Sequence, residues 1–483
     1  MVNFKIILNV LGFLLISLSG ILTIPLLCDL IIQNETWKSF LISLVISFSF
    51  GLTLVLSTRG DREAKVTMQD TFLLTTLSWI VICIFGALPF YLSPFNFSFT
   101  DSIFESMSGV TTTGSTIVDN VEILSQGLLL WRSLLQWVGG VGIIVMAISI
   151  LPVLQVGGMQ VFRTESSDNA EKILPRTAQI AMAVIIIYLI LTSLCAISYW
   201  LFGMSFFDSI AHSMTTIATG GFSTKNNSLA SFNSNSLEYV SCLFMVLSSL
   251  PILVYLEATR GGVRKIISDT QILTFLNIVF ISSLLVILYL WFFDIKDFED
   301  SIRLGLFNVI SIITGTGYTT DNYNTWGPFP IYLLFFGMFI GGCAGSTTCG
   351  IKVFRLQILL ETLKMQIQKL LHPHGVFVPH FNHKKVEEQV TSSVMSYFFI
   401  FILVFIGITL LLSMTELDFV TSLSAAATSL ANVGPGLGNT IGPDNTFQSI
   451  PEVSKWILIA SMLLGRLEIL TVLVIFLPTF WKK

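Results

Sequence analysis

FTDSIFESMSGVTTTGST at residues 99–116, FFDSIAHSMTTIATGGFST at 206–224, FEDSIRLGLFNVISIITGTGYTT at 298–320 and LDFVTSLSAAATSLANVGPGLG at 417–438 are four copies of one unit. Asp101-Ser102-Ile103, Asp208-Ser209-Ile210 and Asp300-Ser301-Ile302 each open a short apolar segment, and an acidic N-cap suits a helix start there. Each segment ends in an aliphatic residue followed four positions later by glycine: Val110 to Gly114, Ile217 to Gly221, Ile313 to Gly317 and Leu430 to Gly434. From Asp to the final Gly is 13 residues in the first two copies and 17 in the third, a difference of about one helical turn. In the fourth copy Asp418 stands 16 residues before Gly434 and the serine is missing.

Outward from these loops the chain is apolar. Of its 483 residues 53% are hydrophobic and 11% charged, which excludes an ordinary water-soluble domain. Stretches long enough to cross a hydrocarbon core of roughly 30 Å fall near Ile6–Ile32, Phe40–Leu56, Thr71–Leu92, Leu128–Leu154 and Ala178–Phe202. Five more fall near Leu237–Tyr255, Ile272–Phe293, Ile331–Leu360, Ser392–Ser413 and Trp456–Leu477. The expected fold is therefore an all-α integral membrane protein of about ten transmembrane helices, with four re-entrant pore loops in pseudo-fourfold arrangement and two extra N-terminal helices. Its divisions are 1–66 for the two N-terminal helices, 67–170 and 171–265 for pore repeats 1 and 2, 266–388 for repeat 3 with its interrupted inner helix, and 389–483 for repeat 4. Most of the 25 basic residues, among them Lys5, Arg59, Arg163, Arg264, Lys352, Arg355 and Lys482, fall at the termini and in alternate connections. The positive-inside bias makes that side cytoplasmic, with both termini there.

Non-helical backbone survives at membrane depth only around a cavity or an ion path, because an unpaired carbonyl against lipid costs several kcal/mol. The four glycine strands thus point to a pore. They supply Thr111, Thr112, Thr113 and Gly114, then Thr219, Gly220 and Gly221, then Gly315, Thr316 and Gly317, then Asn432, Val433 and Gly434. None is charged, so backbone carbonyls are the ligands on offer, and these replace a cation's hydration shell. Short helices aimed C-terminus first at the axis add partial negative charge. Glu105 and the loop aspartates are read as outer-mouth charge or as helix caps.

On these residues the whole chain resembles the TrkH members of the Trk/Ktr/HKT potassium transporter superfamily, in which four pore units are fused. The resemblance implies uptake of K+ as the transported ion, with selectivity tied to the glycine kept in every copy, and no organic cofactor. It further implies a homodimer in the bacterial inner membrane, seated on a cytoplasmic TrkA-like nucleotide-binding regulatory subunit, with no nucleic acid partner.

Helix eight is interrupted by Gly341-Gly342-Cys343-Ala344-Gly345-Ser346-Thr347-Thr348-Cys349-Gly350, too rich in glycine and hydroxyls for regular helix at mid-membrane. A loop into the cavity is expected, as in the family's intramembrane gate; close packing through Gly341 and Gly345 is the plainer alternative. Arg466, flanked by Leu463, Leu464 and Leu467, costs a few kcal/mol in an apolar helix unless it faces water or partners. It is expected either to hold carbonyls of the Gly341–Gly350 loop or to pair with a buried acid. The six cysteines read as packing residues and the histidines lack metal-site spacing, so an enzyme is not expected. Ion-coupled symport would need a buried acid, for which Glu257 and Glu468 are the candidates on helices.

Overall fold

Apolar side chains cover the outside of the long helices, the reverse of a water-soluble protein. The computed structural model describes residues 2–58, 67–149, 157–158, 177–262, 268–382 and 384–482. Phe13, Ile186, Phe280 and Phe399 stand exposed while Glu105, Arg132, Gln136 and Arg355 are buried. Lipid is the outer solvent, so polar groups must find their partners inside.

Among the described residues, seven continuous helices are long and apolar enough to span a membrane. They are α1 (Phe4–Ile32), α2 (Trp37–Ser57), α3 (Met68–Tyr91), α5 (Gln126–Ser149), α6 (Thr177–Leu201), α10 (Thr270–Phe292) and α14 (Glu388–Ser413). Four short helices lie between them: α4 (Phe99–Val110), α7 (Phe206–Ile217), α11 (Phe298–Ile313) and α15 (Phe419–Ala431). The third is 16 residues long against 12, 12 and 13, which accommodates its extra turn. Three of the ten expected spans are not straight. The sixth bends by 90° between α8 (Asn235–Ser248) and α9 (Ile252–Gly261), where Pro251 interrupts the backbone ladder. The eighth breaks between α12 (Pro328–Phe339) and α13 (Val353–Leu371). The tenth bends by 110° between α16 (Glu452–Arg466) and a second helical piece that opens with α17 (Ile469–Leu473).

Three of the acidic residues of the repeats need a correction: Asp101, Asp208 and Asp300 are not the N-caps. Ser98 and Ser205 are the N-caps of α4 and α7 and accept from the amides of Asp101 and Asp208, whose carboxylates accept in return from the serine hydroxyls. The reciprocal bond runs from the serine hydroxyl rather than from the cap's backbone N–H, so the pair has the spacing of a capping box without its full bonding. Asp297 stands at the N-cap position of α11 without a side-chain capping bond, and Asp418 caps α15 by accepting from Thr421 N. Asp418 therefore matches Ser98 rather than Asp101, and the fourth copy is in register with the first two.

The extra N-terminal pair docks on the first repeat through Asp29. Its buried carboxylate accepts from Gly127 N at 2.8 Å and Ser125 Oγ at 3.1 Å, at the start of α5. Asn3 N bonds Asp70 and Gln69 bonds Phe480 O, so both described chain ends gather at the face where α3 begins. The four short helices enter from the opposite face. Two expectations on polarity change: Arg355 and Lys352, expected in the polar cytoplasmic connection, are respectively fully buried and half-buried at the break of the eighth span. Arg59, Arg62, Lys65, Arg163, Lys172, Arg176, Arg264, Lys265, His383 and Lys483 lie outside the described residues, as do the divisions at 66, 170 and 265.

Candidate functional site

Each short helix terminates the same way. The residue two before the final glycine takes the left-handed conformation, at Thr112 (φ 53°), Thr219 (51°), Gly315 (68°) and Asn432 (54°). The amide of the next residue then reaches back to a carbonyl five positions earlier: Thr113 to Ser108, Gly220 to Thr215, Thr316 to Ser311 and Val433 to Thr428, at 2.8–3.0 Å. This left-handed closure satisfies the helix end and turns the chain sharply. The final glycines are left-handed as well, at φ 85°, 75°, 80° and 112° for Gly114, Gly221, Gly317 and Gly434.

The decisive geometry lies between copies. A Cβ on Gly114 would lie 2.2 Å from the carbonyl oxygen of Gly220, and one on Gly221 would lie 1.9 Å from that of Thr316. On Gly317 it would meet Val433 O at 2.1 Å, and on Gly434, Thr113 O at 2.8 Å. The contacts run from copy one to two, three, four and back to one. Four strands that touch in closed cyclic order surround a single axis, with the carbonyls of Thr113, Gly220, Thr316 and Val433 crowded around it. Any side chain on these glycines would fill the place of a carbonyl.

On one side the ring opens into a cavity of about 220 Å³ lined by Gly114, Gly221, Gly317 and Gly434. On the other side sits the Gly341–Gly350 stretch, which is not helical. Thr219 Oγ1 donates to Thr347 Oγ1 at 3.3 Å, and Thr112 Oγ1 and Cys349 Sγ are 3.9 Å apart. Gly342 N donates to Thr348 Oγ1 (3.0 Å), and Ser346 and Thr348 share a hydroxyl bond of 2.8 Å. The base of the loop is closed by Gly341 N to Ile351 O, 2.9 Å.

Arg466 is the last residue of α16, at the bend, not mid-helix. It is 2% exposed. Its guanidinium donates to Thr347 O at 3.2 Å, to Cys349 Sγ, and to Gly139 O at 3.1 Å. Of the two expectations for it, the loop carbonyls are what it touches. Glu468 instead accepts from Arg355 at 2.7 Å, and Arg355 also donates to Gly157 O. The glycine strands thus form a ring of carbonyls, with the uncharged Gly341–Gly350 loop beneath it and the buried guanidinium of Arg466 against that loop.

The family model for the cation transport protein TrkH matches residues 37–483. The chain belongs to the TrkH family. A TrkH-family relative, the Trk system potassium uptake protein TrkI of Halomonas elongata, is 42% identical over 99% of this chain and 97% of its own. The TrkH protein of Escherichia coli K12 is 37% identical over the full length of both. Among solved structures, the potassium transporter TrkH from Vibrio parahaemolyticus superposes with a TM-score of 0.92 at 35% identity, covering 99% of this chain and 100% of that one. The fold is accordingly the TrkH fold, and these relatives are transport proteins, not enzymes.

The structure draws Thr111, Thr112, Thr113, Gly114, Thr219, Gly220, Gly221, Gly315, Thr316, Gly317, Asn432, Val433 and Gly434 together in the ring. Gly341, Gly342, Gly345, Ser346, Thr347, Thr348, Gly350 and Arg466 gather beneath it. Glu105 is a correction: it is fully buried, 2.7 Å from Arg132, and is neither a mouth charge nor a cap. Sequence reasoning missed Gly139, Cys349, Lys352 and Arg132. Cys349 read as packing because a thiol has no motif of its own, and Lys352, which donates to Thr348 Oγ1 at 3.0 Å, read as a loop lysine. A usable signal was present in the inner helices: a Cβ on Gly139 or Gly465 would lie 1.9 Å from Val110 O and 2.0 Å from Leu430 O, the same position of two repeats.

Proposed function

We propose that this chain carries out potassium uptake across the bacterial inner membrane by channel-like permeation. K+ passes through the ring formed by the four glycine strands, and the Gly341–Gly350 loop with Arg466 gates it from below. The observation that carries the reading is the closed cyclic contact of each glycine with the next strand's carbonyl. It leaves a ring of neutral oxygen ligands, which suits a large, weakly hydrated monovalent cation. The family relatives named above are potassium uptake proteins, which supports the same ion.

Permeation is favoured over ion-coupled symport because Glu468, one of two candidate acids, is committed to Arg355. The membrane orientation with both termini cytoplasmic rests on the bias of basic residues. Assembly as a homodimer on a TrkA-like nucleotide-binding subunit is part of the proposal, and the exposed Lys364, Lys369, Lys384 and Lys385 are the basic residues this connection offers to it. Purified protein in liposomes with radioactive rubidium tests the reading. Uptake driven by a rubidium gradient alone, competed by potassium and not by sodium, is expected. Uptake that required an imposed proton or sodium gradient would replace permeation with symport.

A further inference from the structure

Behind the ring, each short helix uses one polar side chain to grip the segment just past its own glycine. Nine residues before the glycine, copies one to three carry Glu105, His212 and Asn308, and copy four has Ala425 with Ser424 beside it. Glu105 accepts from Thr116 Oγ1 and Ile117 N. His212 shares a 2.9 Å bond with Ser223 Oγ, Asn308 donates to Thr320 Oγ1 at 3.0 Å, and Ser424 accepts from Leu437 N at 3.1 Å. The position is fourfold; the chemistry is not.

Copy one adds to this grip an ionised bridge that reaches the strand of its neighbour. Arg132 of α5 donates by Nε to Glu105 (2.7 Å), by Nη2 to Thr116 Oγ1 (3.1 Å) and by Nη1 to the carbonyl of Ser223 in the second strand (2.9 Å). Its guanidinium also lies 4.1 Å from the centre of the Phe222 ring. One turn along α5, Gln136 donates to Gly220 O at 2.6 Å and accepts from Phe222 N at 3.1 Å. Directly behind the strands the other junctions are held by neutral groups, Tyr318 with Thr216, Tyr323 with Gly436, and Ser115 with Gly434, while the ion pairs Arg303–Glu238 and Lys455–Asp101 join repeats nearer the N-terminal ends of the short helices and touch no glycine strand. A planar guanidinium fork bound at three points is the stiffest of these braces, because charge-assisted bonds are short and the fork is pre-organised.

We propose that Arg132, held by Glu105, is a positioning residue that fixes the spacing of the first and second glycine strands and so sets the potassium-over-sodium preference. This rests on the four strands being the filter. A smaller cation needs its ligands drawn inward, and the bridge from Thr116 to Ser223 resists that movement at one corner. Glu105 also neutralises a guanidinium that lines the cavity leading to the ring, where a bare positive charge would repel cations.

The test is the sodium-to-potassium permeability ratio of Arg132→Lys, measured from reversal potentials in reconstituted bilayers beside the parental protein. Lysine keeps the charge next to Glu105 and cannot span three partners. The ratio is expected to rise about tenfold. Thr116→Val, which deletes the hydroxyl shared by Glu105 and Arg132 with little change in volume, is expected to shift it in the same direction by about threefold. If the parental protein proves selective and both variants keep its ratio, the positioning role is overturned while the filter reading stands. If the parental protein does not discriminate, the filter reading itself fails. Should Arg132→Lys not fold, Thr116→Val decides alone, and loss of folding in both variants would reduce the pair to a folding element and overturn the proposal.

Discussion

The ring of strands and the zone beneath it are built from the same four repeats by opposite rules. At the ring, four short helices end in the same left-handed turn, and each glycine meets its neighbour in the same sense. Below it, the four inner helices all differ: α5 is continuous, the second bends by 90°, the third breaks over some ten residues, and the fourth bends by 110° at Arg466. Equivalent ligands around an ion require repetition, whereas one plug on the axis can come from only one repeat. In the proposed function, the asymmetry is therefore concentrated where a gate would need it.

Gly221→Ser should break the symmetric half most severely. A side chain there adopts a left-handed conformation that costs roughly 1–2 kcal/mol in itself, and its Cβ would lie 1.9 Å from Thr316 O. Strand three has to move, so the potassium-to-sodium permeability ratio should fall by about tenfold or more. The same change at Gly434, where the nearest carbonyl is 2.8 Å away, should cost less. A reversed ranking of the two variants would contradict the cyclic contact.

Shortening the Gly341–Gly350 stretch should act on the asymmetric half, raising rubidium flux while the ratio stays near parental. Flux at the parental level would mean that the stretch only packs.

Arg466→Ala removes the donors aimed at Thr347 and Gly139 without removing the plug. Hydrogen bonds to charged groups are worth about 1.5–3 kcal/mol, so basal flux should rise about tenfold. Loss of expression with no gain in flux would make Arg466 a structural residue.

The smallest expected effect tests the corrected register. Asp418→Ala should lower thermal stability by about 1 kcal/mol and Asp418→Ser should be nearly neutral, because serine is the cap at the matching Ser98 and Ser205. Equal loss in both would mean that the cap is not what Asp418 supplies.

The repeats, the straight spans and the glycine strands that meet in the ring were legible in the sequence, since hydropathy and glycine spacing are local signals. The bends were only partly legible. The glycine-rich run marked the third break, but Pro251 and the Leu467–Glu468 bend carry no such run and the spans containing them read as straight. Partner choice was least legible. Arg355 and Glu468 are 113 residues apart and Glu105 and Arg132 are 27 apart, and no periodicity links either pair. Asp101 misread as a cap because an acid three residues past a serine cap looks, in sequence, like an acid at the cap.

The most direct test of the division between ring and plug is a paired reversal-potential measurement, with potassium on one side of the bilayer and sodium on the other, on Gly221→Ser and Arg466→Ala in the same lipid. The account predicts that the reversal potential of Gly221→Ser collapses toward zero, while Arg466→Ala keeps the parental potential and passes a larger current. A parental reversal potential in Gly221→Ser, or a collapsed one in Arg466→Ala, would contradict it.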